Sequence, residues 1–147
     1  MDGERFTVPV AVHLLLFDGD RVLLSLRTNT GYEDGRWGVP AGHLDGGESV
    51  TAAAIREARE ELSIALDSDA LTIVGVMHSR QPDEYVDWFV TVSRWSGTIA
   101  NAEPHKCKCL RWFRVDELPV DMVAYVRRGI ENARAGIAFD SVGFPPA

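Results

Sequence analysis

Residues 42–64 read GHLDGGESVTAAAIREAREELSI, and this stretch decides how the rest of the chain is read. Its first part is turn-like, with Gly42, Asp45, Gly46 and Gly47. From about Ser49 to Leu62 there is no Gly or Pro, and Ala, Glu and Arg prevail, all good helix formers. Ser49 is placed to cap the helix N-terminus. A Gly-rich loop therefore feeds a helix. At the helical period, Glu57, Glu60 and Glu61 share one face, at i, i+3 and i+4. Val50, Ala54, Ala58 and Leu62 form the neighbouring apolar stripe, suited to packing on a sheet.

Carboxylates crowded on one helix face repel each other unless something positive lies among them. Such an oxygen-rich cluster suits a hard cation, Mg²⁺ or Mn²⁺, held by a few carboxylates together with substrate phosphates and waters. Charge alone fits equally well a solvated helix whose carboxylates pair with Arg56 and Arg59.

The spacing in front of the helix separates the two. Gly42, Glu48, Arg56, Glu57, Glu60 and Glu61 fall at the fixed positions of GX5EX7REUXEEXGU, with U an aliphatic residue. The stretch resembles the Nudix box. It departs from it at Ser63, where the family has Gly, and at Ala58, a small residue at the first U. Ser63 closes a helix in the left-handed conformation less easily than Gly does. Weaker similarities lie outside the box: Arg27 at a strand end, Trp37-Gly38-Val39-Pro40 before the box, and Trp112-Phe113 followed by Asp116-Glu117-Leu118-Pro119.

The resemblance implies an α/β/α sandwich around a mixed β-sheet and metal-dependent hydrolysis of a nucleoside diphosphate derivative. By that resemblance Glu60 and Glu61 are the principal metal ligands, joined by the backbone carbonyl of Ala41. Glu57 is either a further ligand or the base that orients water. Arg56 would clamp Glu48 and Glu57, with Glu48 and Gly42 supporting the ligands rather than touching the ion. Arg27 would reach the substrate phosphates. Glu103, in the long loop before the last strand, is the candidate for an acid or base from outside the box, with Asp83 and Glu84 as competitors. The cofactor expected is Mg²⁺, with Mn²⁺ as the alternative.

The remaining chain is consistent with this. Its 147 residues suit one domain, 1–147, with a real core. A net charge of −7 argues against a partner in bulk nucleic acid, though not against phosphate-bearing small molecules, because a bound cation inverts the local sign. No N-terminal signal pattern and no membrane-length apolar run is visible, so the cytoplasm is the expected location. Cys107 and Cys109, with His105 nearby, make a poor disulfide pair and an incomplete metal set, and read as ordinary thiols.

In chain order, residues 8–17 and 21–27 read as a hairpin turning at Asp18-Gly19-Asp20, with His13 as a core or edge residue inside the first strand. Residues 28–36 are turn chemistry. Tyr32 and Trp37 are candidates to stack on a base, Trp37 equally a packing residue. Strands follow at 71–79, 85–95 and 109–114, and residues 85–95 alternate as if one face were more buried. A helix over 121–135 is expected to be capped by Asp121 and stopped by Gly136, ahead of a loosely specified tail, 137–147. Strands and helices in this order give an α/β (α+β) chain with a mixed sheet.

The resulting expectation is a nucleoside triphosphate pyrophosphohydrolase acting on a small nucleotide, and the resemblance admits a homodimer. The competing readings are a hydrolase of nucleotide sugars or dinucleoside polyphosphates and a catalytically silent Nudix-fold regulator. An isoprenoid diphosphate isomerase is the remaining one. Intact Glu48, Glu57, Glu60 and Glu61 argue against the regulator, and the adjacent Cys pair does not supply the isomerase's facing Cys and Glu.

Overall fold

A computed structural model describes residues 3–80 and 82–147. The strands are β1 (Val10–Asp18), β2 (Arg21–Arg27), β3 (Trp37–Gly38), β4 (Ala41–His43), β5 (Leu71–Arg80), β6 (Glu84–Val92), β7 (Cys107–Arg114) and β8 (Phe139–Val142). The helices are α1 (Val50–Leu62) and α2 (Ala124–Ala135). The sheet runs β3-β2-β1-β6-β5-β8, with β4 beside β1 and β7 beside β2. It is mixed: β1 is parallel to β6 and β5 is parallel to β8, and the other pairings are antiparallel. This is the expected α/β/α sandwich.

The hairpin at Asp18 forms, but β1 and β2 pair only at Phe17↔Val22 and Asp18↔Arg21. Beyond that they part. The segment 37–43 enters between them, pairing first with β2 at Gly38 and then with β1 at Ala41, Gly42 and His43. That split holds the start of the box in the middle of the sheet and opens a cleft there.

Apart from His13 and the terminal Asp18, β1 is apolar because it is covered on both faces, as interior strands of such sandwiches are. Val12, Leu14 and Leu16 join Ala53, Ala54, Ala58 and Leu62 of α1. Leu15 lies in the other layer, with Phe89, Val126 and Ile130 under α2. α2 comes so close that a Cβ on Gly129 would stand 2.2 Å from the Phe89 ring. β6 corrects the reading of its sequence. It ends at Val92, and both faces are buried, Phe89 on one side and Val90 and Val92 on the other, because it is an interior strand between β1 and β5.

Ser49 caps α1 as expected, its side chain accepting from Ala52 N–H. Ser63 takes the left-handed conformation that Gly usually fills, with φ of 58°, and its N–H bonds to Arg59 O. Asp121 does not cap α2. The helix starts at Ala124, because residues 121–123 are drawn into extended pairing with β3: Trp37 N–H donates to Asp121 O, and Val123 N–H donates to Trp37 O. The tail is better specified than its composition indicates. β8 pairs with β5 from Val76 to Ser79, and Asp140 accepts from Arg128 and Asn132 of α2. Among the described residues no helix is long and apolar enough to cross a membrane.

Candidate active site

The cleft at the split in the sheet has a volume of about 760 Å³. Carboxylates of the sequence reading line it: Glu57, Glu60 and Glu61 from α1, Glu103 from the loop before β7, and Asp83 from the loop before β6. The loop is fastened to the end of α1. Ala100 N–H donates to Leu62 O and Ala102 N–H to Glu61 O, satisfying carbonyls that a helix end otherwise leaves unpaired. That fastening delivers Glu103 to Glu61.

Burial pushes the Glu61 carboxyl up to about 9, with the charges of Glu57 and Glu103 adding to the effect. Its Oε2 accepts from Ala41 N–H at 3.1 Å. Burial also raises Glu57, against the opposing pull of Arg56. Gly42 makes room for Glu57, since a Cβ there would lie 2.0 Å from Oε1.

Arg56 holds the cluster together. It grips Glu48 with Nη2 at 2.6 Å and Nε at 3.1 Å, while Nη1 donates to Glu57 at 2.8 Å and to Glu60 at 3.3 Å. Its Nη2 also donates to His43 O. Glu48 in turn accepts from Asp45 N–H, and the Arg56 bonds hold its carboxyl below the usual range. The guanidinium thus pairs with Glu48, Glu57 and Glu60 at once.

Among the described residues, no three His, Cys, Asp or Glu side chains converge into a ready metal cage. The donor set nevertheless fits a hard divalent cation. It consists of carboxylate oxygens, two of them disfavoured as anions by burial and by each other, and Gly42 leaves the hollow in which one of them sits.

Arg27 also lines the cleft. Its Nε donates to Tyr32 O at 2.8 Å and its Nη2 to Thr30 Oγ1 at 3.1 Å. The 28–36 loop is itself braced, Asp34 accepting from Thr30 and Gly31 N–H. Tyr32 is at the cleft, 5.6 Å from the Arg27 guanidinium. Trp37 is not among the lining residues. Its indole packs edge-on to Phe113 at 4.9 Å, with Arg111 over it, so it is the packing residue of its two readings. Of the competitors to Glu103, Asp83 reaches the cleft, while Glu84 pairs with His78 at 2.6 Å. Cys107 lines the cleft as a free thiol that burial raises, and His105 does not join it.

Sequence reasoning does not single out Ser79, Tyr85, Asp87, Lys106 and Tyr125 as site residues, and reads His13 as a core or edge residue, yet all six line the cleft. A signal was present for two of them. His13 and Asp87 are each a polar residue inside an apolar strand, and two such residues are candidates to meet.

The family model for the NUDIX domain matches residues 7–132. The chain belongs to the NUDIX family. A MutT NUDIX hydrolase from Burkholderia pseudomallei superposes with a TM-score of 0.79 at 29% identity, over 86% of this chain and 98% of that one. The Nudix chain also resembles the mouse asymmetrical bis(5'-nucleosyl)-tetraphosphatase, at 28% identity over 88 residues. That match covers 55% of this chain and 57% of the mouse protein. The fold recurs in a bifunctional NMN adenylyltransferase/ADP ribose pyrophosphatase from Francisella tularensis, in complex with AMP and a Mn ion. Its TM-score is 0.73 at 19% identity, covering 90% of this chain and 42% of that one. The family and its fold are therefore what this chain holds in common with these hydrolases.

Proposed function

We propose that this chain is a metal-dependent pyrophosphohydrolase of nucleoside diphosphate derivatives, a nucleoside triphosphate foremost, working as one domain. The observation that carries the reading is the meeting of Glu57, Glu60, Glu61 and Glu103 with Arg27 in one cleft. Glu60 and Glu61, with Glu57 and the carbonyl of Ala41, would hold Mg²⁺ or Mn²⁺. When bound, the ion neutralises the pyrophosphate and lowers the pKa of water.

The other groups work around that centre. Arg27 is fixed by Tyr32 and Thr30 before substrate arrives, so its fork meets phosphate oxygens without first being ordered. Arg56 keeps Glu57 and Glu60 in place. Glu103 accepts the proton of the attacking water. Tyr32 offers an aromatic face to the substrate's base.

The mouse relative's activity supports a dinucleoside polyphosphate as the second reading. The test is pyrophosphate and phosphate release from a panel of nucleoside triphosphates, dinucleoside polyphosphates and nucleotide sugars, with Mg²⁺ or Mn²⁺ and with excess chelator. Turnover should vanish with chelator, and Glu60→Gln and Glu61→Gln should each lower it by orders of magnitude, since the amide keeps the shape and loses the charge. Tight nucleotide binding with no product under any metal condition would make the chain a regulator instead.

A further inference from the structure

Three polar side chains meet in the core where the strands are otherwise apolar. His13 stands in the run VAVHLLLF of β1, Ser79 in β5 and Asp87 in β6. Their exposures are 3%, 5% and 2%, and all three line the cleft. His13 Nε2 lies 3.0 Å from Asp87 Oδ1, and Ser79 Oγ donates to Asp87 Oδ2 at 2.6 Å. The imidazole stacks on Phe89 at 4.8 Å and meets the Tyr125 ring edge-on at 5.5 Å.

Burying such a trio costs free energy that well-packed apolar residues would not incur, so it is weak evidence for stability. The bonds satisfy all of its buried side-chain atoms but one. His13 Nδ1 is buried with no partner, alone in this among the buried side-chain nitrogens and oxygens of the described residues. Buried polar atoms are ordinarily bonded, and a binding cleft is where an exception is expected, because the partner arrives with the ligand.

The network also determines what Nδ1 offers. A carboxylate at Asp87 only accepts: from Ser79 on Oδ2, and from His13 on Oδ1. Nε2 therefore carries the N–H, and in the neutral ring Nδ1 is a lone pair. Along the backbone His13 is the register partner of Ala41, whose N–H reaches Glu61, and its ring lies on the α2 side of the same cleft. Tyr32, Tyr85 and Tyr125 bring aromatic rings to the same cleft.

We infer that His13 Nδ1 selects the substrate of this cleft, accepting a hydrogen bond from an N–H or O–H on the organic group attached to the phosphates, with Asp87 and Ser79 fixing the tautomer. The group so read is an aromatic heterocycle that presents a donor. This rests on the reading of the site as a nucleotide hydrolase.

The decisive variant is Asp87→Asn, which keeps size and shape. Its amide oxygen still accepts from Ser79, and its amide N–H now points at Nε2, which moves the imidazole proton to Nδ1. A donor would then face the substrate's donor. At about pH 8.5, where an ordinary imidazole is neutral, kcat/KM for the best nucleoside triphosphate should fall about 100-fold. The loss should appear chiefly in KM, and the order of preference across the panel should change. A merely structural role would lower all nucleotides alike and keep their order, and that result overturns the inference.

If the variant does not fold, the wild-type protein still decides. In ¹⁵N-histidine spectra the His13 Nδ1 resonance should be that of an unprotonated nitrogen, and it should move when the α,β-methylene analogue of the best nucleotide is added. A protonated Nδ1, or one that the analogue leaves unmoved, overturns the inference. If the wild type hydrolyses no member of the panel, the hydrolase reading fails and this inference falls with it. Hydrolysis with an unmoved Nδ1 removes this inference alone.

Discussion

Gly42 lies against the carboxylate of Glu57, so closely that a Cβ on it would stand 2.0 Å from Oε1. Gly42 is there for close approach and not for a left-handed backbone, since it is absent from the residues with positive φ. Gly42→Ala should therefore fold and push Glu57 aside. Losses of supporting contacts at metal sites cost about 10- to 100-fold in affinity or activity. A Mg²⁺ titration of turnover should show a requirement raised by that order, and a curve overlaying the wild type would remove Glu57 from the site.

Arg56 separates clamp from decoration. It contacts Glu48, Glu57 and Glu60 together, so Arg56→Ala leaves a buried carboxylate and its neighbours without a counter-charge. The expected result is a metal requirement raised about 10- to 100-fold and a lower maximal rate. Arg56→Lys should rescue only in part, because an ammonium cannot grip Glu48 with two parallel bonds. Unchanged titration in the Ala variant would make the contacts incidental.

The Glu61 carboxyl is raised from 4.5 to about 9 by burial and by Glu57 and Glu103. Between those values the folded chain holds a proton that the unfolded chain has released. Its contribution to stability is complete below the lower value and is lost as pH rises through the upper one. Metal-free protein should lose melting temperature across that window, and added Mg²⁺, which takes the anion, should stabilise increasingly with pH. Glu61→Gln should flatten both trends in thermal melts with and without chelator. A wild-type gap between metal and chelator that stays constant with pH would contradict the assignment.

Ser63 closes α1 with φ of 58°, a conformation that costs an L-residue roughly 1–2 kcal/mol. Ser63→Gly should relieve part of that and raise the melting temperature by a few degrees. A melting temperature that falls would show that the Ser63 side chain contributes more than its backbone costs.

Much of the box could be read directly. The Ser49 cap, the helix and its stop at Ser63 join residues close in sequence, where helical geometry fixes who meets whom. The pairing of Arg56 with Glu48 and Glu57 is expected from the family resemblance, and its bond to Glu60 is added by the structure. The start of α2 was misread because Asp121 has the chemistry of a cap, yet its carbonyl is taken by Trp37, a partner far away in sequence. β8 was missed because four residues with little apolar pattern become a strand only when β5 offers them an edge.

Local sequence specifies the box: its loop, its helix, the shared face of Glu57, Glu60 and Glu61, and the family they belong to. Local spacing suffices there, because a helix of fixed pitch converts position into direction. Tertiary structure alone decided what stands around it. It placed Glu103 beside Glu61 by tying a loop to the end of α1, and packed a half-buried Trp37 against Phe113. It also joined His13 to Asp87 across 74 residues of chain. Which strands become neighbours depends on which faces the whole sheet and both helices can bury together, and no window of the sequence contains that choice.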